Sequence, residues 1–189
     1  MEDFYQEIIA YWEKNKRNIP WDRNDYHSWT NWIKDSFCDL AEDEKKAKGE
    51  EIAVELSKTK KRGEGEYLVD VCWWKEQGGK YWLELALESE WIDTEDEIDT
   101  DFFKLIDIKA VRKVWVCSYG KKLYRKRRLK ILKSVRSARF TFEEEKYLII
   151  NIPDSEKQSE SNQLRIQGFW IDAKGKASKP MVSLIKKAD

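Results

Sequence analysis

Histidine is nearly missing from this 189-residue chain, with His27 the only one. A single imidazole argues against Ser-His-Asp chemistry and against histidine-based metal sites. Cysteine is scarce too: Cys38, Cys72 and Cys117 stand far apart, each in an apolar pattern. With no CxxC or Cys/His spacing to suggest zinc, they read as reduced core thiols. Net charge is absent, since 36 Lys plus Arg cancel 36 Asp plus Glu, so the overall balance names no nucleic acid or membrane as partner. No apolar run approaches a membrane span, the acidic start is unlike a secretory signal, and no internal repeat is present. The expectation is a cytoplasmic protein with no membrane partner.

What the chain does have is ten tryptophans and a charged fraction of 38%, the composition of a soluble globular protein. Its length fits a single domain over 1–189. Residues 3–16 place Phe4, Ile8, Tyr11 and Trp12 on one helical stripe. A second helix is expected from Ser28, as N-cap, to Lys46, with Gly49 closing it and Trp29, Trp32, Ile33, Phe37 and Leu40 inward. Residues 51–57 alternate as a strand. Two further runs, within Tyr67–Trp91, flank Gly78-Gly79 and read as a β-hairpin.

Charge within that hairpin is unevenly placed. Asp70 sits among Val69, Val71 and Cys72, where an unpaired carboxylate is costly. Along the second run Leu83, Leu85 and Leu87 alternate with Glu84, Ala86, Glu88 and Glu90, so a period of two puts leucines on one face and acids on the other. A hairpin with one solvated face accounts for this; so does a divalent cation held between the arms. A two-residue Gly78-Gly79 loop pairs Gln77 with Lys80 and Asp70 with Leu87, which separates Asp70 and Glu88 onto opposite faces unless a bulge intervenes.

After Trp91 the acid-rich stretch 92–101 reads as a loop. DFFKLIDIKA follows as a short helix with Phe103, Leu105 and Ile106 inward, and 112–119 as a strand added parallel through that crossover. Residues 121–139 hold ten basic residues and no acid. Such density suits phosphate backbones, or else offsets the acidic loop. Lys121, Lys122, Arg125, Arg127 and Arg128 are the candidate nucleic-acid contacts. Strands are expected in EKYLIINIP, QLRIQGFWID and the MVSLIKKAD tail.

The order αβββαβ, with Asp70 in YLVDVCWW and Glu88-Ser89-Glu90 in LELALESEW, resembles the PD-(D/E)XK nuclease superfamily, the restriction-endonuclease-like fold. The resemblance covers roughly 28–119, leaving an extra N-terminal helix and a C-terminal extension, 120–189, outside it. It implies an α/β fold with a mixed sheet, and Mg²⁺ or Mn²⁺ on Asp70 and Glu88, their oxygens about 5 Å apart or less. It further implies metal-dependent hydrolysis of nucleic acid, DNA foremost, and allows a homodimer. The family's lysine two residues beyond the strand-three acid is Glu90 here. Glu90 would serve as a further ligand or base, or Lys104 would supply the missing ammonium. Glu84 is a further candidate ligand, and Glu7, Asp35 and Asp39 are auxiliary acids or plain surface. The same departure admits a catalytically inactive module of that fold that binds nucleic acid or protein. A structural subunit docking through tryptophan-rich surface is a third reading.

Overall fold

The computed structural model describes residues 1–22, 25–56, 69–91, 102–119, 121–138, 142–153 and 162–188, the side chains of 121–125 excepted. One seven-stranded mixed sheet runs through it in sequence order: β1 Ile52–Leu56, β2 Val71–Gln77, β3 Lys80–Glu90, β4 Arg112–Cys117, β5 Lys146–Asn151, β6 Gln163–Asp172 and β7 Met181–Lys186. The pairs β1–β2 and β2–β3 are antiparallel, β3–β4 and β4–β5 parallel, β5–β6 and β6–β7 antiparallel again. The two parallel joins need crossovers, and helix α3 (102–107) and helix α4 (Lys121–Ser137) supply them. The strands after residue 120 thus extend the same sheet as the αβββαβ segment.

Helices cover both faces. On one side lie α1 (Glu2–Lys14) and α2 (Tyr26–Lys48), whose Phe4, Ile8, Trp12, Trp29, Ile33 and Phe37 pack on Val71, Trp73, Leu85, Leu87, Val114 and Leu148. On the other, Phe102, Leu105, Ile131 and Val135 of α3 and α4 pack on Cys72, Ala86, Trp115, Tyr147 and Ile149. Burying each large apolar side chain contributes about 1.5–3 kcal/mol, so the two layers together fix the fold. Trp73 is fully buried. In α3 it is Phe102 that turns inward, against Trp115, whereas Phe103 is 46% exposed.

The cap of α2 also differs from expectation. Asp25 rather than Ser28 is the N-cap, its carboxylate accepting the Ser28 amide at 3.0 Å and hydroxyl at 2.6 Å. A carboxylate at the N-cap satisfies an orphan amide and faces the positive helix end, so the cap sits three residues earlier than Ser28 and the helix begins at Tyr26. Gly49, at φ 65°, ends it as expected.

The hairpin contains a bulge. Gln77 pairs with Lys80 across Gly78-Gly79, but the register shifts between Trp73 and Trp74, and Val71 comes opposite Leu87. One extra residue on β3 turns Leu83 into the second core, away from Leu85 and Leu87. It also corrects the placement of Glu84, which does not share a face with Glu88: it pairs with Arg112 at 3.0 Å, on the α1–α2 side.

Two ion networks lock the opposite end of the sheet. Glu44 of α2 meets Arg112 at 2.9 Å and Lys75 at 3.1 Å, and the Arg112 guanidinium lies over the Phe4 and Trp73 rings. Burial opposes ionisation of Glu44, but Arg112, Lys48 and Lys75 outweigh it and hold the carboxyl at about 2 against the usual 4.5. A pKa lowered in the folded state adds stability that is complete above the unfolded value and lost as pH falls through the folded one. The stability difference between wild type and Glu44→Gln should therefore be constant above pH 5 and shrink between pH 4.5 and 2, as thermal unfolding will read. A difference unchanged over that window would remove Glu44 from the network. On the other face, Lys113 and Glu145, each 1% exposed, form an ion pair that Tyr147 joins through its hydroxyl.

Candidate site at the carboxyl edge of the parallel strands

Parallel strands present their carboxyl ends at one edge, where chain leaves for the crossover helices, and ligands of open α/β sheets gather there. Here that edge holds the ends of β3, β4 and β5, the start of β2 and the first turns of α3 and α4. Asp70, Glu88, Glu90 and Lys104 all fall on it.

Asp70 lies in the bend immediately before β2, not inside the strand. Its Oδ2 accepts the Ser89 amide at 2.9 Å and the Ser89 hydroxyl at 2.7 Å, and its Oδ1 pairs with Lys34 of α2 at 3.1 Å. The carboxylate thus closes the sheet end where β2 stops short of Ser89, and turns toward the α2 layer. Glu88, one residue along, points to the other layer: it is 6% exposed and its Oε1 is 3.5 Å from the Lys104 ammonium of α3. The bulge brings Asp70 level with Glu88, yet each carboxylate is neutralised by a lysine from a different helical layer. Among the described residues no three Asp, Glu, His or Cys side chains are gathered to hold a metal ion.

Glu90 follows on the same side of β3 as Glu88. Burial pushes the Cys117 thiol well up; Arg127 opposes that shift and Glu90 adds to it, so both charges act at the end of β4. Arg127 is 4% exposed and its guanidinium lies 5.7 Å from the Tyr119 ring centroid. Arg128 donates to the Ser178 carbonyl at 3.2 Å and covers the Phe169 ring. These two arginines bind α4 to the sheet, and among the described side chains the exposed cations of the helix are Lys126, Lys130, Lys133 and Arg136, the last also donating to the Gly175 carbonyl at 3.1 Å. The side chains of Lys121, Lys122 and Arg125 lie outside the described residues, as does the acidic stretch 92–101.

Sequence reasoning missed Lys34 and Ser89. Lys34 stands beside Ile33 at the margin of the apolar stripe of α2, and that position is its only signal; Ser89 is the spacer between the two glutamates.

Compared with family models, curated proteins and solved structures, the chain finds no match. No described helix is long and apolar enough to cross a membrane.

Proposed function

We propose that the segment from α2 through β4 is a restriction-endonuclease-like core and that the protein hydrolyses phosphodiester bonds of nucleic acid, DNA foremost, with a divalent cation. The observation behind this reading is the bulge at Trp73-Trp74, which sets Asp70 level with Glu88 at the carboxyl edge. The donor set there is all carboxylate, the ligand chemistry of a hard cation such as Mg²⁺ or Mn²⁺. Asp70, Glu88 and Glu90 are the residues that would hold it. When bound, such an ion supplies charge for the phosphoryl oxygens and lowers the pKa of water.

The chain's own residues set the conditions for that. Lys34 and Lys104 supply the positive charge at Asp70 and Glu88, so a shared cation must displace Lys34 and draw the Asp70 side chain off Ser89. Lys104, once released from Glu88, is the ammonium placed to orient a phosphate oxygen. The basic face of α4, which starts at the same edge, contributes Lys126, Lys130 and Lys133 to backbone contacts without base selectivity.

A second reading, a module that binds nucleic acid without cutting it, is favoured by one observation: both Asp70 oxygens are already engaged. Incubating DNA and RNA with the protein in Mg²⁺, Mn²⁺ or chelator separates the two. Metal-dependent cleavage abolished by Asp70→Ala supports the first. Salt-sensitive binding with no cleavage under any condition supports the second.

Both readings share a prediction. Each phosphate contact removed should flatten the slope of log affinity against log salt by about 0.9 for duplex DNA. The triple substitution of Lys126, Lys130 and Lys133 by alanine should therefore lower the slope by roughly 2–3 and weaken binding for all sequences alike. An unaltered slope in a fluorescence-anisotropy titration would take α4 out of the interface.

A further inference from the structure

A concave feature on the α1–α2 side takes in Asp35 and Asp39, two of the candidate auxiliary acids, and contains none of Asp70, Glu88 and Glu90. It is a cleft of about 650 Å³ between α1, the turn after it and α2, walled by Tyr11, Asn15, Asn18, Asn31, Asp35 and Asp39. Asp35 and Asp39 stand one helical turn apart on α2 and, among the described residues, are its only ionised lining groups, with no described lysine or arginine in the lining. Ser36 sits between them in the cleft wall, 2% exposed, and its Oγ has no hydrogen-bond partner. A buried hydroxyl without a partner costs free energy unless a ligand completes it. Trp32 adds an indole to the lining, a surface that cations favour.

We propose that this cleft binds a small organic cation carrying several N–H donors, a polyamine or an amino-substituted polyol. The lining offers carboxylate, amide and hydroxyl oxygens, which accept from ammonium groups. Anions find no counter-charge among the described lining residues, and among these the two carboxylates belong to no group of three side chains that could hold a metal ion. The neighbouring groups record the same negative field. Burial raises the Cys38 thiol, and Asp35 and Asp39 raise it further. The Tyr11 hydroxyl donates to Asp39 and is likewise held protonated, by burial first and then by that bond. The cleft volume is within the about 300–1,000 Å³ usual for small-molecule sites.

The probe is spermidine, titrated calorimetrically into the full chain at low salt. Wild type should bind it, and Asp35→Asn with Asp39→Asn should weaken binding roughly tenfold or more, since two charge-assisted bonds are lost. Asparagine at 39 still accepts from Tyr11, so that variant should fold; the single Asp35→Asn, at an exposed side chain, decides the matter if the double variant does not. Removing two charges at Glu143→Gln with Glu144→Gln, exposed and elsewhere, should leave affinity unchanged. Ser36→Ala should lower affinity several-fold. No binding by wild type, or equal weakening in the Glu143/Glu144 control, would overturn the proposal, the latter because it would show diffuse attraction to acidic surface.

Discussion

Replacing Glu145 by alanine should lower the unfolding free energy by roughly 3–5 kcal/mol, the cost of leaving a buried partner charge uncompensated. The Lys113 side chain reaches the carboxylate, the Tyr147 hydroxyl at 3.2 Å and the Ile106 carbonyl at 3.1 Å, all within the core under α3. Burial pulls the Lys113 ammonium below its usual pKa although Glu145 and Asp107 oppose the shift, so loss of Glu145 leaves Asp107 alone against burial and a lysine driven further toward shedding its proton. At about 2–4 °C per kcal/mol for a chain of this size, the thermal midpoint should fall by roughly 10 °C. Pairing Glu145→Leu with Lys113→Met should recover most of that loss, because replacing a buried ion pair by apolar groups of similar volume is often neutral or better. A double-mutant cycle in urea measures the coupling. If Glu145→Ala cost less than about 1 kcal/mol, in the range of an exposed pair, the network would not be what fixes α3.

That network bears on the site as well. It ties the end of α3, through Ile106, to β4, and Glu145 Oε2 takes the Phe142 amide at 3.4 Å in the turn before β5. The first turn of the same short helix offers Lys104 to Glu88. A structural ion pair at one end of α3 thus sets where the lysine at the other end stands.

Periodicity made most of the elements legible in the sequence. The stripe Phe4, Ile8, Trp12 and the alternation around Leu85 and Leu87 each match one buried face. The parallel β4 followed from a helix between two strands, since a parallel join cannot be made by a tight turn. What stayed illegible depends on partners distant in sequence. The bulge at Trp73-Trp74 has no local marker, yet it decides that Leu83 leaves its neighbours' core and that Glu84 meets Arg112 instead of Glu88. The basic stretch was plain as charge, but Arg127 and Arg128 spend theirs on Tyr119, Ser178 and Phe169, contacts only the folded sheet provides. Lys34, thirty-six residues before Asp70, could be matched to it only once α2 lay on the sheet.

Substituting Asp70 or Glu88 by alanine should reduce metal-dependent cleavage by about 10²–10⁴-fold, the scale on which positioned acid–base and electrostatic groups act. The two lysines should then separate by what they neutralise. Lys34→Met removes the ammonium 3.1 Å from Asp70 Oδ1, so Mn²⁺ should bind more tightly, the Ser89 bonds to Oδ2 remaining for the ion to displace. Lys104→Met removes the counter-charge 3.5 Å from Glu88 and should likewise favour the ion, yet lose turnover if its ammonium orients phosphate. Affinity read by calorimetry and rate read by plasmid cleavage must therefore move in opposite directions for Lys104→Met. Calorimetry keeps the question open to an answer even if no substrate is cut, because Mn²⁺ affinity reports the carboxylates directly. Cleavage that survives Asp70→Ala and Glu88→Ala together would place the chemistry away from this edge. Mn²⁺ affinity that is immeasurable in wild type and in Lys34→Met alike would leave Asp70 a strand-end cap, bound to Ser89 and Lys34, and would overturn the metal-dependent reading.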